Sequence, residues 1–269
     1  MKNYLDLLKV LPKTNCGECG EQSCLLFALK VFSKALPPTK CPYLSIENLP
    51  EETFTNLTFN QLLENLKFLK EKFSALTDLK ERAYHLGCIV KEEENIIILP
   101  YLDQKIFISY EGYGKPQILK DKATATLDPR DEILIYNYFI FNGKTPLSFD
   151  FVGLESFPHS ISKVKTLKRY AEDPLADLLS SENDNFEEIF KNFEISDYSA
   201  NTSGISFLVK VLPKIFLKIN FWYGEVEENL PPSCKILYDR VALDYLDLEC
   251  LVFCAERFVE KIKAQSSTK

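Results

Sequence analysis

Hydrophobic positions along this chain change their period several times, and each change predicts an element. A short amphipathic stretch at 1–10 gives way to LPKTNCGECGEQSC at 11–24, which is polar, contains two glycines and follows no regular period. Leu25, Ala28, Leu29 and Phe32 then recur at helical spacing, with Pro37 and Pro38 as the stop. The polar stretch at 43–59 reads as a connection. After it, Thr58 and Gln61 have the pattern of a capping box, and Leu62, Leu66, Leu69 and Phe73 mark one apolar helix face. A second helix is expected over 75–85.

Branched residues dominate next. NIIILPY at 95–101 and QKIFISY at 104–110, separated by an Asp-containing turn, predict an antiparallel hairpin. Asp128 before Pro129 is an N-cap followed by proline at the first helical position, so RDEILIYNYFIF should be helical. Helical spacing recurs between 160 and 193. Ile205, Phe207, Val209 and Val211 alternate with other residues, as do Ile215, Leu217, Ile219 and Phe221, which predicts a second hairpin. A last helix over 243–263 would put Leu251, Cys254, Phe258 and Ile262 on one side. Locally paired strands with grouped helices define an α+β class rather than a doubly wound sheet. The expected organisation is a small, mostly helical module at 1–50 followed by a larger domain at 58–266, with antiparallel sheet and surrounding helices.

Composition narrows the chemistry. An apolar fraction of 46% in 269 residues can bury a core without disulfide staples. The first ten residues have no leader pattern, so a reducing, cytoplasmic setting is expected for the eight cysteines. The longest apolar run, ILIYNYFIF at 133–141, is about half of what a bilayer needs, so no membrane span is expected. A net charge of −7 with scattered basic residues argues against a nucleic-acid partner, whose backbone is bound by clustered Lys and Arg.

The strongest chemical signal is the spacing C-x2-C-x4-C-x16-C of Cys16, Cys19, Cys24 and Cys41. Thiolates suit both zinc and iron–sulfur clusters. Structural zinc commonly uses two C-x2-C knuckles, whereas here a helix separates the third and fourth cysteines. Three ligands from one tight loop and a distant fourth suit a 4Fe-4S cluster better, with zinc, free thiols or a disulfide as the alternatives. Gly17 and Gly20 let the backbone turn close to sulfur, and the start of a helix near Cys24 favours negative charge. Glu18 and Glu21 inside the loop should lower the reduction potential.

LPKTNCGECG with its later cysteine and the delayed CPYLS resembles the small 4Fe-4S module of corrinoid iron–sulfur proteins and of the B subunit of the Rnf electron-transport complex. The resemblance covers roughly residues 8 to 45 and implies that Cys16, Cys19, Cys24 and Cys41 are the cluster ligands. This chain differs at Gln22 and Ser23, where the related modules usually carry Pro-Thr or a similar pair before the third cysteine. Residues 212–240 resemble an uncharacterised bacterial and archaeal domain family found behind this module, which implies a two-part architecture and no particular reaction. The rest of the chain is too short and too irregular for the barrel of a corrinoid protein.

Elsewhere the signals are weaker. Cys88, Cys234, Cys250 and Cys254 read as core, since free cysteine packs as a small apolar residue. His85 and His159 lack partners in sequence, Gly112 and Gly114 read as a turn, and the sequons at Asn56 and Asn201 carry little meaning in a reducing compartment. Trp222 and Tyr223, beside the acidic run at 224–232, mark the surface expected to meet a cofactor or partner. No nucleophile, base and orienting group form a recognisable motif, so a non-catalytic role is expected. The leading reading is electron transfer through one 4Fe-4S cluster, with the larger domain docking a redox protein or a corrinoid-dependent methyl-transfer component. The alternative is that this domain holds a corrinoid or other metal cofactor which the cluster reduces.

Overall fold

The computed structural model describes residues 4–32, 36, 40–44, 51–110, 115–119, 127–181, 186–224 and 230–266. The chain divides into two compact units, Met1–Asn65 and Leu66–Lys269.

The first unit carries α1 (Tyr4–Val10), α2 (Cys24–Phe32) and the beginning of α3 (Glu51–Ser74). Leu7 and Leu11 meet Phe27, Ala28 and Val31 of α2 in a buried cluster to which Leu44 returns. Full burial of a large apolar side chain contributes about 1.5–3 kcal/mol, and Phe27 at 1% exposure is the largest such group here. Ser23 caps α2, its Oγ accepting from the backbone N–H of Leu26 at 3.1 Å. Because α3 starts at Glu51, inside the stretch read as a connection, Thr58 lies within the helix and is not its N-cap. The helix stop expected at Pro37 and Pro38 lies outside the described residues.

In the second unit the chain turns at 75–78, so the helix expected over 75–85 is shorter, α4 (Leu79–His85). A four-stranded antiparallel sheet follows in the order β1 (Ile89–Lys91), β2 (Ile96–Tyr101), β3 (Gln104–Ser109), β4 (Gln117–Ile118). Tyr101 pairs with Gln104, which leaves Leu102 and Asp103 as the hairpin turn that the sequence predicts. In α5 (Pro129–Phe141) the Asp128 side chain accepts from the backbone N–H of Arg130 at 2.9 Å, as the Asp-Pro start requires.

The larger sheet has five strands, β5 (Phe151–Gly153), β6 (Ile195–Asn201), β7 (Gly204–Leu212), β8 (Ile215–Trp222) and β9 (Ser233–Asp239), in the order β5-β9-β8-β7-β6. The predicted second hairpin is β7–β8, and Phe207 lies opposite Ile219 with both fully buried. The sequence reading missed β5, β6 and β9. Helices α6 (Ile161–Leu167), α7 (Asp173–Ser181) and α8 (Phe186–Phe190) lie between β5 and β6 in sequence, and a π-helical turn at Lys168–Glu172 joins α6 to α7.

Helix α9 (Leu248–Ser266) starts later than expected, after a 3-10 turn at Ala242–Asp244. Its Leu251, Cys254, Phe258 and Ile262 are fully buried, as their spacing requires. Phe258 stacks on Phe190 and meets Phe193 edge-on at 5.3 Å, so aromatic contacts tie α9 to α8 and the start of β6. A polar clasp lies at the α5–α9 contact. Arg257 donates two hydrogen bonds to Asp131 at 2.8 and 2.9 Å, and the Tyr101 hydroxyl donates a third at 2.5 Å. Asp131 is 2% exposed, so these partners are what make a buried carboxylate tolerable. The class is α+β with antiparallel sheets.

Candidate metal centre

Local backbone geometry shapes the cysteine loop. The N–H of Gly20 donates to the carbonyl of Gly17 at 2.8 Å, closing a tight turn that contains the second cysteine, Cys19. Gly17 and Gly20 have φ of +78° and +85°, in the left-handed region that glycine adopts without penalty. A Cβ at either position would meet nothing within 4 Å, so glycine serves the backbone path and the space beside it is open. Asn15 Oδ1 accepts from the backbone N–H of Cys24 at 2.8 Å and fastens the loop to the first turn of α2.

Two further contacts hold the loop from outside. Lys30 of α2 donates to Glu21 at 2.9 Å, and Glu21 is nearly buried. The Tyr43 hydroxyl donates to Glu18 Oε1 at 2.7 Å. That hydrogen bond, then the Glu18 charge, holds Tyr43 above the ordinary tyrosine range, with smaller effects from Cys16 and Cys41. The two acids therefore differ: Glu21 has a cation against it, whereas Glu18 is engaged by a neutral hydroxyl.

Cys16 is exposed, Cys19 half-buried, and Cys24 and Cys41 buried. Cys24 and Cys41 belong to one apolar cluster, and Cys19 packs against it. Among the described residues no three Cys, His, Asp or Glu side chains converge closely enough to form a finished metal site. The four thiols are distributed over a glycine-turned loop, a helix start and one buried later segment. That set fits an iron–sulfur cluster by softness and by loop shape.

The remaining cysteines are different. Burial pushes the Cys88 thiol up to about 12 and raises Cys234, Cys250 and Cys254 as well, so all four stay protonated thiols at neutral pH. Asn137 Nδ2 donates to Cys250 Sγ at 3.2 Å, a packing contact within the core. All eight cysteines are free. His85 and His159 are exposed, and among the described residues neither belongs to a metal-binding group.

Trp222 is 45% exposed at the end of β8, opposite Gly204 and Ser233. Tyr223 turns its ring edge-on to Phe221 at 5.3 Å, and its N–H donates to the Ser203 carbonyl. The two aromatics thus divide, one presented to solvent and one used in packing. Residues 225–229 of the acidic run, together with Gly112 and Gly114, lie outside the described residues, and nothing of the Asn56 side chain is described. Asn201 has a structural task, its Oδ1 accepting from Ser203 and Gly204 to shape the β6–β7 turn. Sequence reading missed Asn15, Lys30 and Tyr43 as supports of the loop. Asn15 beside Cys16 was a visible capping type, whereas Tyr43 and Lys30 gave no signal before the fold joined them to the loop.

A cysteine loop of iron–sulfur type joined to an α+β domain defines the class. Residues 11–43 match the family described as "Putative Fe-S cluster", and residues 78–261 match "Domain of unknown function (DUF3786)". The second match spans more than half of the chain, and the chain belongs to that family. Curated relatives share the iron–sulfur segment. The acetyl-CoA decarbonylase/synthase complex subunit gamma of Methanothermobacter thermautotrophicus is 41% identical over 61 residues, 20% of this chain and 13% of that protein. The gamma 2 subunit of Methanosarcina thermophila is 52% identical over 40 residues, 15% of this chain and 8% of its own length. The corrinoid/iron-sulfur protein large subunit of Moorella thermoacetica is 49% identical over 41 residues, 15% of this chain and 9% of its own. The chain therefore spans about a tenth of the length of these relatives. No solved structure matches. An iron–sulfur cofactor and the kinship with corrinoid iron–sulfur proteins follow from these matches. Among the described residues no helix is long and apolar enough to cross a membrane.

Proposed function

We propose that this protein is a cytoplasmic one-electron carrier in which Cys16, Cys19, Cys24 and Cys41 ligate a single 4Fe-4S cluster within a mostly helical module at 1–50. One observation carries the reading: Cys19, Cys24 and Cys41 border a single buried cluster, while Cys16 lies exposed on the same glycine-shaped loop. A 4Fe-4S cluster, when bound, supplies a centre that accepts and releases one electron. The chain's own part is to present four thiolates, turn backbone N–H groups of the loop towards sulfur, and leave the Cys16 side open to a partner. Anaerobic reconstitution with iron and sulfide should give about four irons and four acid-labile sulfides per chain, with an EPR signal on reduction. Stoichiometric zinc without labile sulfide overturns the assignment.

The domain at 58–266 then docks the redox partner, with the exposed Trp222 as its contact and Tyr223 as the support behind it. Curated relatives are, by name, subunits of complexes, which supports a protein partner. The partner expected is an oxidoreductase or a corrinoid-dependent methyl-transfer component. Reduced protein should transfer its electron to such a partner in anaerobic stopped-flow, and Trp222→Ala should slow the transfer without changing the cluster spectrum. Incubation with cobalamin followed by gel filtration separates this from the reading in which the domain itself retains a corrinoid.

A further inference from the structure

The loop that supplies Cys16 and Cys19 and the segment that supplies Cys41 are far apart in sequence, yet Tyr43 and Glu18 join them by a 2.7 Å hydrogen bond across 25 residues. Glu18 stands between Cys16 and Cys19, and Tyr43 follows Cys41 by two positions. Tyr43 is 54% exposed, so it contributes little to the apolar cluster. The other loop contacts act differently: Asn15 fastens the loop to the start of α2, and Lys30 fastens Glu21 to the middle of the same helix. The Tyr43–Glu18 bond is made from the segment of the fourth cysteine itself.

We infer that Tyr43 is a positioning residue whose hydroxyl, by gripping Glu18, latches the Cys41 segment onto the Cys16–Cys19 loop and so governs how firmly a bound cluster is kept. The inference rests on the four-cysteine ligation proposed above. An exposed hydrogen bond between a hydroxyl and a carboxylate alters an equilibrium by about three- to tenfold, which is the size of effect expected. The latch needs an acceptor at position 18 and not a charge, since an amide oxygen accepts from a phenol as a carboxylate does.

The test uses the full chain and four variants: Tyr43→Phe, Glu18→Ala, Glu18→Gln and the double variant Tyr43→Phe with Glu18→Ala. Two rates are read. One is anaerobic loss of iron from the reconstituted protein to a ferrous chelator. The other is alkylation of Cys41 by iodoacetamide in the metal-free protein, followed by mass spectrometry. Tyr43→Phe and Glu18→Ala should each speed both rates by about three- to tenfold, the double variant should be no faster than either, and Glu18→Gln should behave as the unaltered protein. Glu18→Gln should still raise the reduction potential, which separates the latch from the charge. If Tyr43→Phe leaves both rates unchanged, or if Glu18→Gln matches Glu18→Ala, the latch is wrong. If the unaltered protein takes up no iron and sulfide, the ligation reading fails, and the alkylation rates still decide whether Tyr43 holds the Cys41 segment.

Discussion

Four cysteines near the N-terminus and four in the α+β domain are the same residue in opposite settings. Cys16, Cys19, Cys24 and Cys41 sit on or beside a polar loop turned by two glycines and tied by Asn15, Lys30 and Tyr43. Cys88, Cys234, Cys250 and Cys254 sit among strands and helices where burial raises every thiol. The contrast lies in the backbone more than in burial, since Cys24 and Cys41 are as buried as Cys88: the first four thiols share a glycine-turned loop, the helix start behind it and a segment tied to it, whereas the second four are spread through the domain core. It also explains why the first group can be read by spacing while the second follows helix and strand periodicity.

The sharpest way to break this comparison is substitution within each group. Alanine at any of Cys16, Cys19, Cys24 or Cys41 should reduce iron and labile sulfide after reconstitution to a small fraction, whereas Cys254→Ala should leave both unchanged. In place of cluster loss, the Cys254 variant should lose about 1 kcal/mol or more of domain stability through the cavity it opens. Loss of iron on changing Cys254 would erase the distinction.

A second measurement asks whether buried charge in the domain is as dependent on its partners as the loop is on its tethers. Arg257→Ala leaves Asp131 buried with Tyr101 as its neutral donor, and should cost about 3–5 kcal/mol in urea unfolding followed by fluorescence of the single tryptophan, Trp222. A loss below about 1 kcal/mol would mean that the clasp is incidental.

Charge beside the loop should act on the cluster more gently. Lys30→Gln uncovers the Glu21 charge and should lower the reduction potential, and Glu21→Gln should raise it, each on the order of tens of millivolts. Equal potentials in both variants would remove Lys30 from the electrostatics of the site.

The smallest effect concerns pH. Burial raises Glu172, with the Ile236 N–H and Lys235 opposing it. Its folded value lies above its unfolded one, so the stability it lends is full below about 4.5 and declines as pH rises through the folded value. Glu172→Gln keeps an acceptor for Ile236 without this decline. The variant should therefore gain on the unaltered protein as pH is raised from 4.5 to 7, by under ~1 kcal/mol in urea midpoints. A gap that shrinks over that range reverses the sign.

Elements written by local chemistry were legible in the sequence. The Asp128-Pro129 start of α5, the β2–β3 and β7–β8 hairpins and the buried face of α9 each depend on neighbours a few positions away. What escaped depends on distant partners. Strand β6 is exposed along nearly its whole length and reads as polar, so only pairing with β7 makes it a strand. Strand β5 has three residues and exists through β9. The start of α3 was hidden because Thr58 and Gln61 offered the pattern of a cap inside what is in fact the helix. The candidate cluster ligands were legible by spacing, while Tyr43–Glu18 and Lys30–Glu21 were not, because periodicity carries no information about which charged side chains a loop will meet.

The Arg257–Asp131 clasp also has a consequence for how the molecule comes into being. The two residues are 126 positions apart. A ribosome adding roughly 5–20 residues each second exposes Asp131 on the order of ten seconds before its guanidinium partner exists. During that interval the α5 segment has Tyr101 but not Arg257 to meet its carboxylate, so burying it costs more until the α9 segment emerges. Completion of the core is thereby timed to synthesis of its final helix, and a nascent chain stalled before residue 257 should remain accessible to chaperones and proteases although most of its strands have already been made.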